Sequence, residues 1–571
     1  MKEKWEKTLD SCICMRYNPN IKFNGDERDE YPAFSTREAR SAAESRAQKP
    51  RGRKEHSRAG APTRLPRRIR VIRVKDERGC RVMAAGSNLG GTAGYVLMID
   101  PVPSRTNLFG TVFLLEKARR TAARQPAGAK GRLNDMQTMT GKTEGKHSTL
   151  FDVLAMETGA KAAVHGIVHT LRDLGDVRFA LLRMPQGVLQ CVLGADEDVR
   201  DGDAVVVSGG VVHDERAPGG VELHAQSVRV LARAAEAMPV PIGKNKMNLS
   251  LDTDLALRFV TLRNLRKRAV FKIQEGIVRG FREALQKEGF TEIHSPKIVA
   301  QNAEGGANLF RMEYFGRRAY LAQSPQFYKP AMVPVYERVF EIGPVFRAEK
   351  HNTQRHLNEY TSMDFEMGFI DGFEDIMQME TKVLQNIMAV LKADYAPQLA
   401  ALHVSLPDVT SIPAVRFDDA KRMVSEKYGR AIRDPFDLEP EEEQLISRLF
   451  AEEYGSEFVF VTHYPSKKRP FYAADDPEDP RYTLSFDLLF RGLEVTTGGQ
   501  RIHDYDTQVA KLIKKGMNPE DFAGYLMIHK YGTCPHGGLG LGLERLTARL
   551  LGENNVRETC LFPRDQQRIE P

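Results

Sequence analysis

Two arginines in two separate segments limit this chain more than anything else in it. Arg347 lies in the β-type run Phe340-Glu-Ile-Gly-Pro-Val-Phe-Arg-Ala-Glu349, and Arg545 follows a glycine-rich strand, Gly538-Leu-Gly-Leu-Gly-Leu-Glu-Arg545. Each guanidinium has an acidic neighbour. Guanidinium is always charged and grips phosphate in a planar fork. A strand of alternating glycines lets backbone approach a ligand closely, and Arg545 is expected to start a helix. Two such arginines converging on one site would suit a nucleoside triphosphate. Taken alone, each segment is also compatible with a charged hairpin or an ordinary tight turn.

At 571 residues the chain exceeds a single core, and two to four domains are expected. A hydrophobic content of 41% with 28% charged residues is that of a globular protein. No apolar run approaches the ~20 residues of a membrane span. The first 50 residues lack the apolar stretch of a secretory signal. The six cysteines are scattered without a Cys-x-x-Cys pair, which supports neither a zinc site nor a disulfide framework and fits a cytoplasmic setting.

The net charge of +7 is unevenly spread. Residues 1–135 hold 29 Lys+Arg against 15 Asp+Glu, a net +14, which leaves −7 for the rest. A basic arm of this kind is either a solvated, disordered extension or a nonspecific nucleic-acid contact. Residues 1–145 show no sustained period and are expected to be a low-order extension, with short ordered pieces around Ile69–Val74 and Gly94–Ile99. Residues 146–237 contain five short β-rich runs separated by turn signals such as Asp201-Gly202 and Pro218-Gly-Gly220. That pattern predicts a five-stranded barrel of the OB type. A hinge is expected over 238–250. From 251 to 571 strands alternate with long helices, which predicts an α+β domain with a mainly antiparallel sheet flanked by helices.

The string of motifs resembles the class II aminoacyl-tRNA synthetases, and within them aspartyl-tRNA synthetase of the archaeal and eukaryotic type. Gly289-Phe-Thr-Glu-Ile-His-Ser-Pro296 resembles their first motif, which forms the homodimer interface, and the two arginine segments resemble the second and third. Glu304-Gly-Gly306, Gln323-Ser-Pro-Gln-Phe-Tyr-Lys329, Asp364-Phe-Glu366, Ser485-Phe-Asp487, Glu494-Val-Thr-Thr-Gly-Gly-Gln-Arg501 and Phe562-Pro-Arg-Asp565 extend the likeness over about 150–571.

The resemblance implies ATP-dependent attachment of L-aspartate to tRNA through an aspartyl-adenylate. It implies that Arg347, Glu349, Arg355, His356, Tyr360, Glu494, Gly542 and Arg545 surround ATP, with Arg347 and Arg545 as the catalytic pair. Glu304, Gln326, Lys329, Asp487, Thr497 and Arg501 would hold aspartate, Lys329 and Arg501 taking its side-chain carboxylate. A buried cation left unpaired by neutral asparagine is the physical basis of that choice. Glu494 and Thr497 would ligate Mg²⁺, Thr497 standing where the family usually has Ser.

In the barrel, Phe179, Gln190 and Glu222 match positions used on the anticodon, although Phe179, in an apolar strand, also reads as core. Family members restricted to tRNA-Asp tend to carry Trp where this chain has His169 and Lys where it has Pro218. His and Pro resemble the type that charges both tRNA-Asp and tRNA-Asn, which implies a tRNA-dependent amidotransferase in the same cell. Asparaginyl- and lysyl-tRNA synthetases share the fold, but neither substrate side chain is anionic. An RNA-binding relative without catalysis would be expected to lose Arg347, Glu494 or Arg545, and all three are present.

Overall fold

The computed structural model describes residues 142–143, 145–300 and 308–570, together with the backbone of three N-terminal strands. These strands, β1 (Arg70–Lys75), β2 (Arg81–Leu89) and β3 (Thr92–Ile99), pair in order as an antiparallel sheet. The remaining expectations for 1–141, and Glu304, lie outside the described residues.

Five strands close into a barrel: β4 (Lys161–Asp173), β5 (Val177–Met184), β6 (Gly187–Gly194), β7 (Ala204–His213) and β8 (Val221–Ala232), in the order β4-β5-β6-β8-β7. Each of the five β-rich runs of the sequence falls in one of them. Alternation does the folding: Ala180, Leu182, Leu189, Cys191, Leu193 and Leu223 point inward and are nearly inaccessible. The hinge is clasped to the next domain by Asn264, whose Nδ2 donates to Ile242 O at 2.8 Å and Lys244 O at 2.7 Å. Arg268 Nη2 reaches back to the barrel carbonyls of Met184 and Pro185.

The C-terminal domain is built on an eight-stranded sheet. In chain order its strands are β9 (Thr291–Glu292), β13 (Arg338–Phe346), β14 (Glu359–Gly368), β15 (Ala414–Arg416), β16 (Phe458–Thr462), β17 (Ser485–Phe490), β18 (Leu493–Gln500) and β19 (His536–Gly542). A separate small sheet holds β10 (Ile298–Val299), β11 (Arg311–Tyr314) and β12 (Arg317–Leu321). Across the large sheet the order is β15-β16-β17-β18-β19-β14-β13-β9, antiparallel throughout except for one parallel pair at each edge.

The helices Leu265–Lys287 and Phe373–Asp394 cover one face of this sheet, joining Ile277, Phe281, Leu384 and Ile387 to Met363, Phe365, Leu539 and Leu541. Strand alternation then sends Ser362, Asp364, Glu366, Gly538, Gly540 and Gly542 to the opposite face. One period-two pattern thus makes a core on one side and a polar floor on the other. Among the described residues no helix is long and apolar enough to cross a membrane.

Candidate functional site

That polar floor is the base of a cavity of about 400 Å³. Its walls come from the segment before the helix Lys329–Tyr336, the loop between β13 and β14, the strand β18, and the first turn of the helix Leu543–Leu551. Gln326, Lys329, Arg347, Glu349, Arg355, His356, Tyr360, Glu494, Thr497, Arg501, Gly542 and Arg545 all line it. Residues more than 200 positions apart in sequence therefore meet in one space.

At one end, arginines surround the Glu494 carboxylate. Arg545 Nη1 donates to Glu494 O at 3.1 Å and to Glu494 Oε1 at 3.2 Å. Burial would raise the Glu494 carboxyl, but Arg545, Arg355, Arg469 and Arg347 outweigh it and hold the group below its ordinary value. Arg347, just past β13, stacks over the Tyr360 ring at 5.9 Å. His356 is pushed down to about 4 by burial and by Arg545 and Arg355, so it is neutral at pH 7, with Nδ1 2.6 Å from Thr353 Oγ1.

The Thr497 hydroxyl donates to Glu494 Oε1 at 3.2 Å. Three residues apart on a regular strand, these side chains would face opposite ways. A bulge between Leu488 and Leu489 places Thr496 opposite the first and Glu494 opposite the second, so Val495 is the extra residue and both oxygens reach the cavity.

At the other end lie two buried cations. Lys329, 2% exposed, donates from Nζ to Asp364 Oδ1 at 3.1 Å and Leu539 O at 2.9 Å, with Glu366 Oε2 at 3.3 Å. Arg501 donates from Nε to Glu366 Oε1 at 2.9 Å and from Nη2 to Gly538 O at 2.8 Å, while Nη1 makes no hydrogen bond among the described residues. Glu366 is pulled below its ordinary value despite complete burial, because Arg501 and Lys329 flank it. Burial raises Asp364, against the pull of Lys329. With Glu366 held between the two cations, Arg501 Nη1 is the donor left to meet an anionic group.

Asp487, expected beside the aspartate, lies next to the cavity rather than in its lining. It pairs with Arg469 at 2.7 Å and lines an adjoining pocket of about 250 Å³ with Tyr464, Glu443 and Glu494. Asp364, Glu366, Arg469 and Glu443 were given no role by the sequence reading. Asp364 and Glu366 stood within a quoted motif; Glu443 sits in an acidic run that reads as a solvated helix face.

On the barrel, Phe179 and Gln190 occupy outward positions between the inward Ala180, Leu182, Leu189 and Cys191, so Phe179 is not a core residue. Gln190 pairs directly with Glu222 across β6 and β8 and donates from Nε2 to Glu222 Oε2 at 2.8 Å. His169 is the bulged residue of β4 and is 2% exposed, its Nδ1 3.3 Å from Arg183 Nη1. Burial and the nearby Arg183 and Arg268 lower it to about 4. It faces the hinge, lining a cavity with Met238 and Pro239. Pro218 is exposed in the turn just before β8.

Residues 250–566 match the family described as tRNA synthetases class II (D, K and N). A relative from Deinococcus radiodurans, named Aspartate--tRNA(Asp/Asn) ligase, is 48% identical over 429 residues, covering 74% of this chain and 98% of its own. One of the same name from Thermus thermophilus is 46% identical over 419 residues, covering 73% and 98%. Asparaginyl-tRNA synthetase from Pyrococcus horikoshii, solved with asparaginyl-adenylate, superposes with a TM-score of 0.68 at 31% identity, covering 75% of this chain and all of that one.

Proposed function

The chain belongs to the class II tRNA synthetases (D, K and N), and from that premise we propose that it attaches L-aspartate to tRNA-Asp and tRNA-Asn, using ATP and passing through aspartyl-adenylate. The observation that carries this reading is the division of one cavity into a triphosphate end, with Arg347, Arg355 and Arg545, and a carboxylate end, with Lys329 and Arg501. The names of the relatives from Deinococcus and Thermus support both tRNA substrates.

Aspartate lies with its side-chain carboxylate against Arg501 Nη1 and its ammonium toward Gln326. Its α-carboxylate faces the α-phosphate of ATP over the glycine floor. The α-carboxylate oxygen attacks the α-phosphorus in line and pyrophosphate leaves. Arg347 and Arg545 neutralise the charge that grows on the phosphoryl oxygens, fixed in place before the reaction begins. Tyr360 holds the Arg347 plane, and His356, neutral, donates to a phosphate oxygen without adding a titrating charge. The terminal ribose hydroxyl of tRNA then takes the aspartyl group and AMP leaves. No side-chain nucleophile is required.

Glu494 and Thr497 fit a magnesium ion. Their oxygens lie 3.2 Å apart, close to the ~3.0 Å between neighbouring ligands of an octahedral ion at ~2.1 Å. Among the described residues no group of three His, Cys, Asp or Glu could hold a metal ion. When bound, the magnesium ion supplies charge neutralisation between phosphates.

The barrel reads the anticodon with Phe179, Gln190 and Glu222, and His169 and Pro218 belong to the relaxed choice of tRNA. The edge strand β9, in the segment ending at Pro296, pairs two copies into a homodimer. Asp-tRNA-Asn is then a substrate for a cytoplasmic tRNA-dependent amidotransferase. The test is aminoacylation with labelled aspartate on separate tRNA-Asp and tRNA-Asn transcripts. Charging of both at comparable rates is expected. Charging of tRNA-Asp alone would overturn the relaxed specificity, and charging of neither would overturn the activity.

A further inference from the structure

We infer that Glu443 is a positioning residue for the triphosphate of ATP. The inference rests on reading the arginine end of the cavity as the nucleotide site. Glu443 is the fourth residue of the helix Pro440–Tyr454, far in sequence from every motif, and it is 5% exposed. Its two carboxylate oxygens accept from a single nitrogen, Arg355 Nη2, at 2.8 and 2.7 Å. One of them also accepts the backbone N–H of Glu494 at 3.0 Å. A single carboxylate therefore ties the arginine on the β13–β14 loop to the strand that carries Glu494 and Thr497.

The geometry of the clasp matters. Glu443 engages only Nη2. Arg355 Nε is buried without a hydrogen-bond partner, and Nη1 makes no hydrogen bond among the described residues. Arg355 lines both the main cavity and the adjoining pocket. Glu443 thus fixes where the guanidinium lies and leaves Nη1 for phosphate oxygens beyond the α-phosphate. Unclasped, a long side chain on an exposed loop would have to be ordered by the ligand itself, weakening ATP binding. A buried carboxylate with a charged partner on one side and a backbone N–H on the other cannot be copied by an amide, which offers one oxygen and would turn an N–H toward one of the two donors.

The test compares ATP and AMP binding to full-length wild type, Glu443→Gln and Glu443→Asp by calorimetry, alongside aspartate-dependent ATP–pyrophosphate exchange. Glu443→Gln is expected to weaken ATP by about tenfold or more while leaving AMP affinity and the KM for aspartate within about twofold. Glu443→Asp keeps both acceptors and is expected to recover part of the loss. It also serves as the working variant if the amide form does not fold. Equal weakening of ATP and AMP, or ATP affinity unchanged in both variants, would overturn the inference. Absence of exchange in wild type would instead count against the proposed reaction, and the nucleotide comparison would still be readable.

Discussion

At the scale of single residues, specificity rests on how two buried cations are shared. Lys329 has its donors occupied by Asp364, Leu539 O and Glu366, so it sets potential, while Arg501 keeps one nitrogen for substrate. Arg501→Lys should therefore separate charge from reach. The ammonium still balances Glu366, so the folded protein should keep nearly its thermal midpoint. It cannot offer a second directed N–H, and the KM for aspartate should rise about tenfold to a hundredfold with the KM for ATP little changed. Pyrophosphate exchange at varied aspartate and ATP measures both; equal rises in the two constants would refute the assignment. Lys329 and Arg501 were named through the resemblance, and an anionic substrate supplies the physical reason for cations there. Their counter-ions were not legible, because an acidic residue in a strand gives no sign of which cation will face it. The pairing of Asp487 with Arg469 was hidden for the same reason, since Arg469 comes from a loop no motif marks.

At the scale of elements, two strands decide the site, and only one was legible. The Gly-Leu alternation of β19 announces a strand with one bare face. The bare face has two duties, however. A Cβ on Gly538 would meet Phe365 O at 2.1 Å and Glu366 Oε2 at 2.3 Å, so this glycine serves the packing of β19 on β14. A Cβ on Gly542 would meet nothing nearer than Arg545 Cβ at 3.6 Å. Gly538→Ala should lower the thermal midpoint, by an overpacking cost on the order of 1–3 kcal/mol, and disturb the Glu366–Arg501 pair. Gly542→Ala should leave the midpoint in place and raise only the KM for ATP, since its methyl borders the cavity. Thermal scans and exchange kinetics on both variants check this; equal melting of the two would sink it. The second strand, β18, was opaque. Glu494 and Thr497 at a spacing of three should oppose each other across a sheet, and only the bulge at Val495 brings them together. A bulge is set by the pairing of two strands, which a single run of sequence does not carry.

At the scale of the whole molecule, the barrel and the helix-backed antiparallel sheet were readable from period-two runs and turn signals, since those record which face of each element meets a core. The burial of charge beneath the site was not, and it sets the pH dependence of stability. His169, His356 and His536 are each lowered to about 4, chiefly by burial. Unfolded, they bind protons below about 6.5, so their share of stability is lost as pH falls from 6.5 toward 4. Glu544 is raised to about 7 and Glu380 to about 8, again chiefly by burial. The unfolded chain releases these protons near 4.5, so the folded state binds more of them above that pH and their share is lost as pH rises. Between about 4.5 and 6.5 the two sets oppose each other. Above 6.5 the histidines are silent in both states, and Asp487, raised to about 6, has largely titrated. Only the carboxyls remain, each removing up to about 1.4 kcal/mol per pH unit while it keeps its proton. The apparent thermal midpoint should therefore fall between pH 6.5 and 8. Glu380 lies in the helix Phe373–Asp394 under the sheet, is 1% exposed and lines neither the main cavity nor the adjoining pocket. Glu380→Gln should flatten the last part of that decline and raise the midpoint relative to wild type at pH 9, where the native carboxyl must ionise in the core. A wild-type midpoint that is level or rising from 6.5 to 8, or an unchanged slope in Glu380→Gln, would show that the buried carboxyls are not what the folded state gives up in alkali.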